Sequence, residues 1–131
     1  MSRSQTKRQR SYHIRKASIK DEFIDRQILI LHNAMANKIL ANPNLVEQVQ
    51  VRLEEKRENG SMGYGAYITW TSVLELISDP EEFKKAMKED SKKMRRLRRV
   101  TPFVGILTEE ERQTAITKGA AGEFNPSNLM L

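Results

Sequence analysis

Few residues in this chain are of types that do covalent chemistry at neutral pH. Two histidines, His13 and His32, and no cysteine occur among its 131 residues. The missing thiols exclude a disulfide scaffold, a thiolate nucleophile, a Cys-type zinc site and an iron–sulfur cluster. The histidines do not stand at the i, i+4 spacing of a metal-binding helix face. His32 lies between apolar stripes of the first expected helix, which predicts a partly buried structural role. The acidic groups Asp21-Glu22, Glu81-Glu82 and Glu109 to Glu111 all fall where helices begin, and dipole compensation explains them. No Gly-x-Ser-x-Gly elbow is present. Gly60, Gly63 and Gly65 read G-x-x-G-x-G after a helix, not the strand–turn–helix setting that cradles phosphate. That loop is expected to display Met62, Tyr64 and Tyr67. These residues predict a protein that is not an enzyme, with no metal and no cofactor.

The residues with the clearest chemical pattern are cations. The formal net charge is +6, but it is unevenly distributed. Residues 1–20 carry Arg3, Lys7, Arg8, Arg10, Arg15, Lys16 and Lys20 with no acid, and Lys92, Lys93, Arg95, Arg96, Arg98 and Arg99 crowd a second short stretch. These segments hold 13 of the 23 basic residues, so the rest of the chain has a net charge of −7. Surface helices normally mix signs to gain i, i+4 pairs. An uninterrupted cationic run needs either the acidic body or an anionic partner to offset it. A basic helix beside a basic arm is a common way to hold nucleic acid through its phosphates. Stacking aromatics are few, which favours duplex DNA over RNA. The thin apolar side of the basic helix argues against a membrane surface. No apolar run approaches a membrane span, and a cytoplasmic location is expected.

The elements that must position these residues read as helices. Residues 1–17 are expected to form a flexible basic arm, 18–119 a single helical domain and 120–131 a loose tail. Ser18 caps a first helix running to about Leu40, with Ile24, Ile28, Leu31, Met35 and Ile39 on one stripe. Phe23, Leu29, Ile30 and Leu40 lie off that stripe, so this helix is either central or contacts a second chain, and a homodimer is one expectation. A second helix spans Pro43 to Glu58 and a third Tyr67 to Ser78. Asp79-Pro80-Glu81-Glu82 opens a fourth, and Asp90-Ser91 caps a fifth from Lys92 to about Val100. Its apolar stripe is Met94, Leu97 and Thr101. Thr108 to Glu111 forms a capping box for a last helix ending near Lys118-Gly119. Alternating strand patterns and hairpin turns are missing. The fold class is therefore all-α, an irregular bundle of five or six short helices.

Arg96-Leu97-Arg98, then Thr101-Pro102-Phe103-Val104-Gly105-Ile106-Leu107, then Glu110-Glu111-Arg112 resembles an R-x-L-R…[ST]-P-F-x-G-x-L…E-R signature of small bacterial antitoxin-type and transcription-regulator-type proteins. The resemblance covers roughly His32 to Arg112. It implies a regulatory role beside a protein partner, such as a cognate toxin. This chain lacks room for the separate helix-turn-helix domain that precedes the signature in many of those proteins, so its basic arm would have to substitute. Read physically, Pro102 ends the basic helix, Phe103 plugs the core and Gly105 permits a tight turn.

The reading from sequence is thus a non-enzymatic regulatory protein of antitoxin type. The expected nucleic-acid contacts are Arg3, Lys7, Arg8, Arg10, Arg15, Lys16, Lys92, Lys93, Arg95, Arg96, Arg98 and Arg99. The expected anchors for a protein partner are Tyr64, Tyr67, Trp70 and Phe103. The alternative is a protein-interaction or inhibitor module whose basic helix docks on an acidic protein without nucleic acid.

Overall fold

The computed structural model describes the backbone of residues 2–120 and the side chains of residues 19–119. The described residues form helices and no strand: α1 (Ser2–Ala41), α2 (Leu45–Glu58), α3 (Tyr64–Glu75), a 3₁₀ turn at Leu76–Ser78, α4 (Pro80–Met87), α5 (Lys92–Arg98) and α6 (Glu109–Ala120). Helical backbone extends well ahead of Ser18, so that residue lies inside α1 rather than capping it. The flexible arm expected over residues 1–17 and the loose tail over 120–131 fall outside the described side chains.

Helix α1 is the spine, packing against α4, α5 and α6, while α2 pairs with α3. Met35, Ala36 and Ile39 of α1 join Val49 and Leu53 of α2, Trp70, Val73 and Leu74 of α3, Phe83 and Met87 of α4, and Met94 of α5 in one core. Met62 is also in that core, so the glycine-rich loop turns it inward instead of displaying it. Of the apolar residues off that stripe of α1, Leu40 packs against the same core, Phe23 is exposed, and Ile30 has a different partner. Ile30 is buried against α6, where a Cβ built on Gly119 would lie 2.5 Å from Ile30 Cδ1. Glycine at 119 lets the two helices approach closely.

Local capping chemistry sets the helix starts. Asp79 accepts from the Glu82 N–H, with Pro80 opening α4. The Ser91 hydroxyl accepts from the Met94 N–H at the start of α5. Thr108 and Glu111 cap α6 reciprocally, Glu111 N–H to Thr108 Oγ1 at 3.1 Å and Thr108 N–H to Glu111 Oε1 at 2.8 Å. Lys38 of α1 then donates to Glu111 Oε1 at 2.6 Å and to the Ile106 carbonyl at 2.8 Å. This pair docks the α6 start on α1 and holds the Glu111 carboxyl below the usual carboxylate range.

Candidate nucleic-acid interface

The segment from α5 to α6 divides into a dry part and a wet part. In the dry part, the Thr101-Pro102-Phe103 turn wraps onto α1. Phe103 and Trp70 are fully buried and meet edge-to-face, with ring centroids 5.4 Å apart. The His32 ring lies nearly parallel to Trp70 at 6.1 Å and edge-on to Phe103 at 6.0 Å. His32 Nδ1 is 2.8 Å from the Ile28 carbonyl, so this nitrogen carries the proton and donates. Nε2 therefore accepts from the Thr101 hydroxyl at 2.8 Å. The same Thr101 oxygen accepts the Phe103 N–H at 3.2 Å. The His32–Thr101 bond thus ties the turn to α1, flanked by one bond inside α1 and one inside the turn, and this arrangement of the ring requires a neutral imidazole. Burial pushes the His32 pKa down to about 4, assisted by the nearby Arg98 charge and opposed by the Ile28 carbonyl. The turn closes at Gly105, whose φ of +86° a side chain would strain. Trp70 Nε1 is buried with no hydrogen-bond partner among the described residues, a local cost of about 1–3 kcal/mol that the ring packing must exceed.

The wet part is the seam between α5 and α1. Arg99 Nε donates to Asp25 Oδ1 at 2.8 Å, with Asp21 also in range at 3.4 Å. Arg95 Nε donates to Asp90 Oδ1 at 2.8 Å. Both guanidinium pKa values are raised by these carboxylate hydrogen bonds. A cleft of about 320 Å³ runs along the seam, lined by Glu22, Asp25, Arg26, Leu29, Asp90, Arg95 and Arg98. Arg98 is 2% exposed and donates to the Met87 carbonyl at 3.2 Å. Burial lowers its pKa, with Asp90 and Asp25 opposing. On the outer side, Lys92, Lys93 and Arg96 are exposed, and none has an ion pair among the described residues.

Several expected site residues therefore change standing. Arg98 is a core residue, because Met94 and Arg98 form the i, i+4 pair that faces inward, while Leu97 is half-buried. Arg95 and Arg99 spend their charge on body carboxylates. Only Lys92, Lys93 and Arg96 remain as an uncommitted cationic face on α5. Arg3, Lys7, Arg8, Arg10, Arg15 and Lys16 lie outside the described side chains. Among the expected partner anchors, Trp70 and Phe103 are in the core and cannot meet a partner. Tyr64 is exposed and carries the Arg57 guanidinium over its ring at 5.3 Å, and the Tyr67 hydroxyl donates to Glu54.

Among the described residues, no cluster of His, Asp or Glu could hold a metal ion, and no helix is long and apolar enough to cross a membrane. No protein-family model, curated protein or solved structure matches the chain.

Proposed function

We propose that this is a regulatory protein that binds nucleic acid, duplex DNA in preference to RNA, through the outer face of α5 and the adjoining cationic start of α1. Its acidic helical body is left for a protein partner, the division of labour of an antitoxin. The observation that carries the nucleic-acid reading is the Arg99–Asp25 contact, between residues 74 positions apart. It holds α5 beside the point from which α1 runs back into its acid-free basic stretch. It thereby joins α5 to the helix whose sequence carries the other cationic segment, and binding a run of phosphates calls for cations on both.

Two further features support this reading. Lys92, Lys93 and Arg96 are exposed and unneutralised by the body, so an anion can take them without breaking an existing pair. Phe83 and Phe103, the aromatics of the segments flanking α5 in sequence, are buried, so α5 itself offers no base stacking of the kind single strands need. The antitoxin character rests on the resemblance carried by Thr101-Pro102-Phe103 and its flanks.

The test is binding of a short labelled duplex by fluorescence anisotropy. Replacing Lys92, Lys93 and Arg96 together by Ser is expected to weaken binding roughly tenfold or more. Lys85→Ser, removing an exposed cation from α4, is expected to leave it unchanged. Equal binding by wild type and the triple variant refutes the assignment of this face. A partner that co-purifies through α5 and survives nuclease treatment favours the protein-docking alternative.

A further inference from the structure

We infer that a second copy of this chain lays the uncovered apolar stripe of α1 into the groove between α2 and α3. The groove measures about 600 Å³. Val46, Val51 and Ile77 supply its apolar surface over buried Leu74, and Glu47, Glu75 and Glu54, the last already accepting from Tyr67, supply its charge; among the described residues no cation lines it. In a chain of net charge +6, three carboxylates around an apolar trough call for a cationic, apolar-faced helix.

The chain itself carries such a helix. Ile19 is 72% exposed and Phe23 63% exposed, one turn apart on α1. Exposed Lys20 and Arg26 stand ~60° to either side of Phe23 around the helix, with no ion pair among the described residues, while exposed Glu22 and Asp21 lie ~100° and ~160° from it. Helix α1 runs unbroken through this stretch and leaves both apolar side chains in solvent, so the groove of the same chain does not take them. Val51, at 56% exposure, is the matching uncovered residue on the groove.

The stripe also lies on the free side of α1. At ~100° per residue, Phe23 is about 160° around the helix from Asp25, which faces α5. Association through the stripe engages Arg26 at the rim of the seam cleft but leaves the Arg99–Asp25 contact and the outer cations of α5 untouched. The contact joins different surfaces on the two copies, so it is heterologous and either closes into a ring or extends. It does not depend on the nucleic-acid reading.

The chain has no cysteine, which permits a clean test. Phe23→Cys and Val51→Cys are made as separate full-length proteins and mixed under mild oxidation. The expected result is a mixed disulfide dimer that forms faster than either protein dimerises alone. In sedimentation of the full-length chain, Glu47→Lys with Glu75→Lys is expected to weaken self-association roughly tenfold, as is raised salt. Phe23→Ser is expected to weaken it with helicity unchanged by circular dichroism. A wild-type chain that stays monomeric across a concentration series overturns the proposal. So does Phe23→Cys that pairs with itself as readily as with Val51→Cys, or association that survives the charge reversal.

Discussion

The turn at Thr101–Phe103 and the seam at Arg95–Arg99 adjoin in sequence but are held by opposite physics. The turn is dry: one imidazole and two aromatic rings, all buried, with three part-buried polar links among them. The seam is wet: guanidinium–carboxylate contacts on half-exposed side chains, where solvent and salt compete. The residue types that most suggest chemistry, histidine and the aromatics, serve the dry part as packing. The charges that look redundant in the wet part divide into a buried arginine, two arginines committed to the body and three cations left over. Function is sought among the leftovers, because a side chain already satisfied by its own protein has less to offer a ligand.

The contrast can be broken most forcefully in the dry part. Phe103→Ala should cost about 3–5 kcal/mol in urea denaturation, the range for deleting a fully buried aromatic ring. A loss below ~1 kcal/mol would mean that the turn is not packed as described.

Acid should act next. The folded His32 pKa, about 4, lies below its ordinary value of 6.5. The unfolded chain therefore binds the extra proton between these values. The stabilising contribution is fully present above pH 6.5 and is lost as pH falls toward 4. That difference corresponds to about 3 kcal/mol. Stability measured across this window should fall by that order, and His32→Gln should flatten the fall.

Within α5, two neighbouring arginines sharpen the comparison. Arg98→Ala should cost about 2 kcal/mol, since it empties a packed site and strands the Met87 carbonyl. Arg96→Ala should stay within ~0.5 kcal/mol, as exposed substitutions usually do. Matched losses at the two positions would erase the distinction between buried and free cations.

The smallest effect belongs to the wet seam. A double-mutant cycle with Arg99→Gln and Asp25→Asn should give a coupling below ~1 kcal/mol that shrinks as salt is added. A large, salt-insensitive coupling would place this pair with the dry part instead.

How much of this was legible in the sequence follows from the range of each interaction. Asp79, Ser91 and Thr108 announce helices because a cap acts within three residues of itself. The all-helical class follows from such signals together with the apolar stripes. Arg98 was not legible: its position one turn after Met94 marks it as inward-facing, but its partner is a carbonyl at the end of α4, and a cation inside a basic run gives no local sign of burial. The Arg99–Asp25 contact is equally long-range. Trp70 and Phe103 misled because core and interface favour the same aromatic residues. The start of α3 at Tyr64 rather than Tyr67 reflects Gly63 acting as an extended N-cap without a capping side chain.

The most direct measurement of nucleic-acid binding is the salt dependence of duplex affinity for wild type and for the chain with Lys92, Lys93 and Arg96 replaced by Ser. Each phosphate neutralised contributes about 0.9 to the slope of log affinity against log salt. The wild-type slope should be steep, and the triple variant's should be shallower by roughly 2–3 units. An identical slope for both proteins would contradict the account.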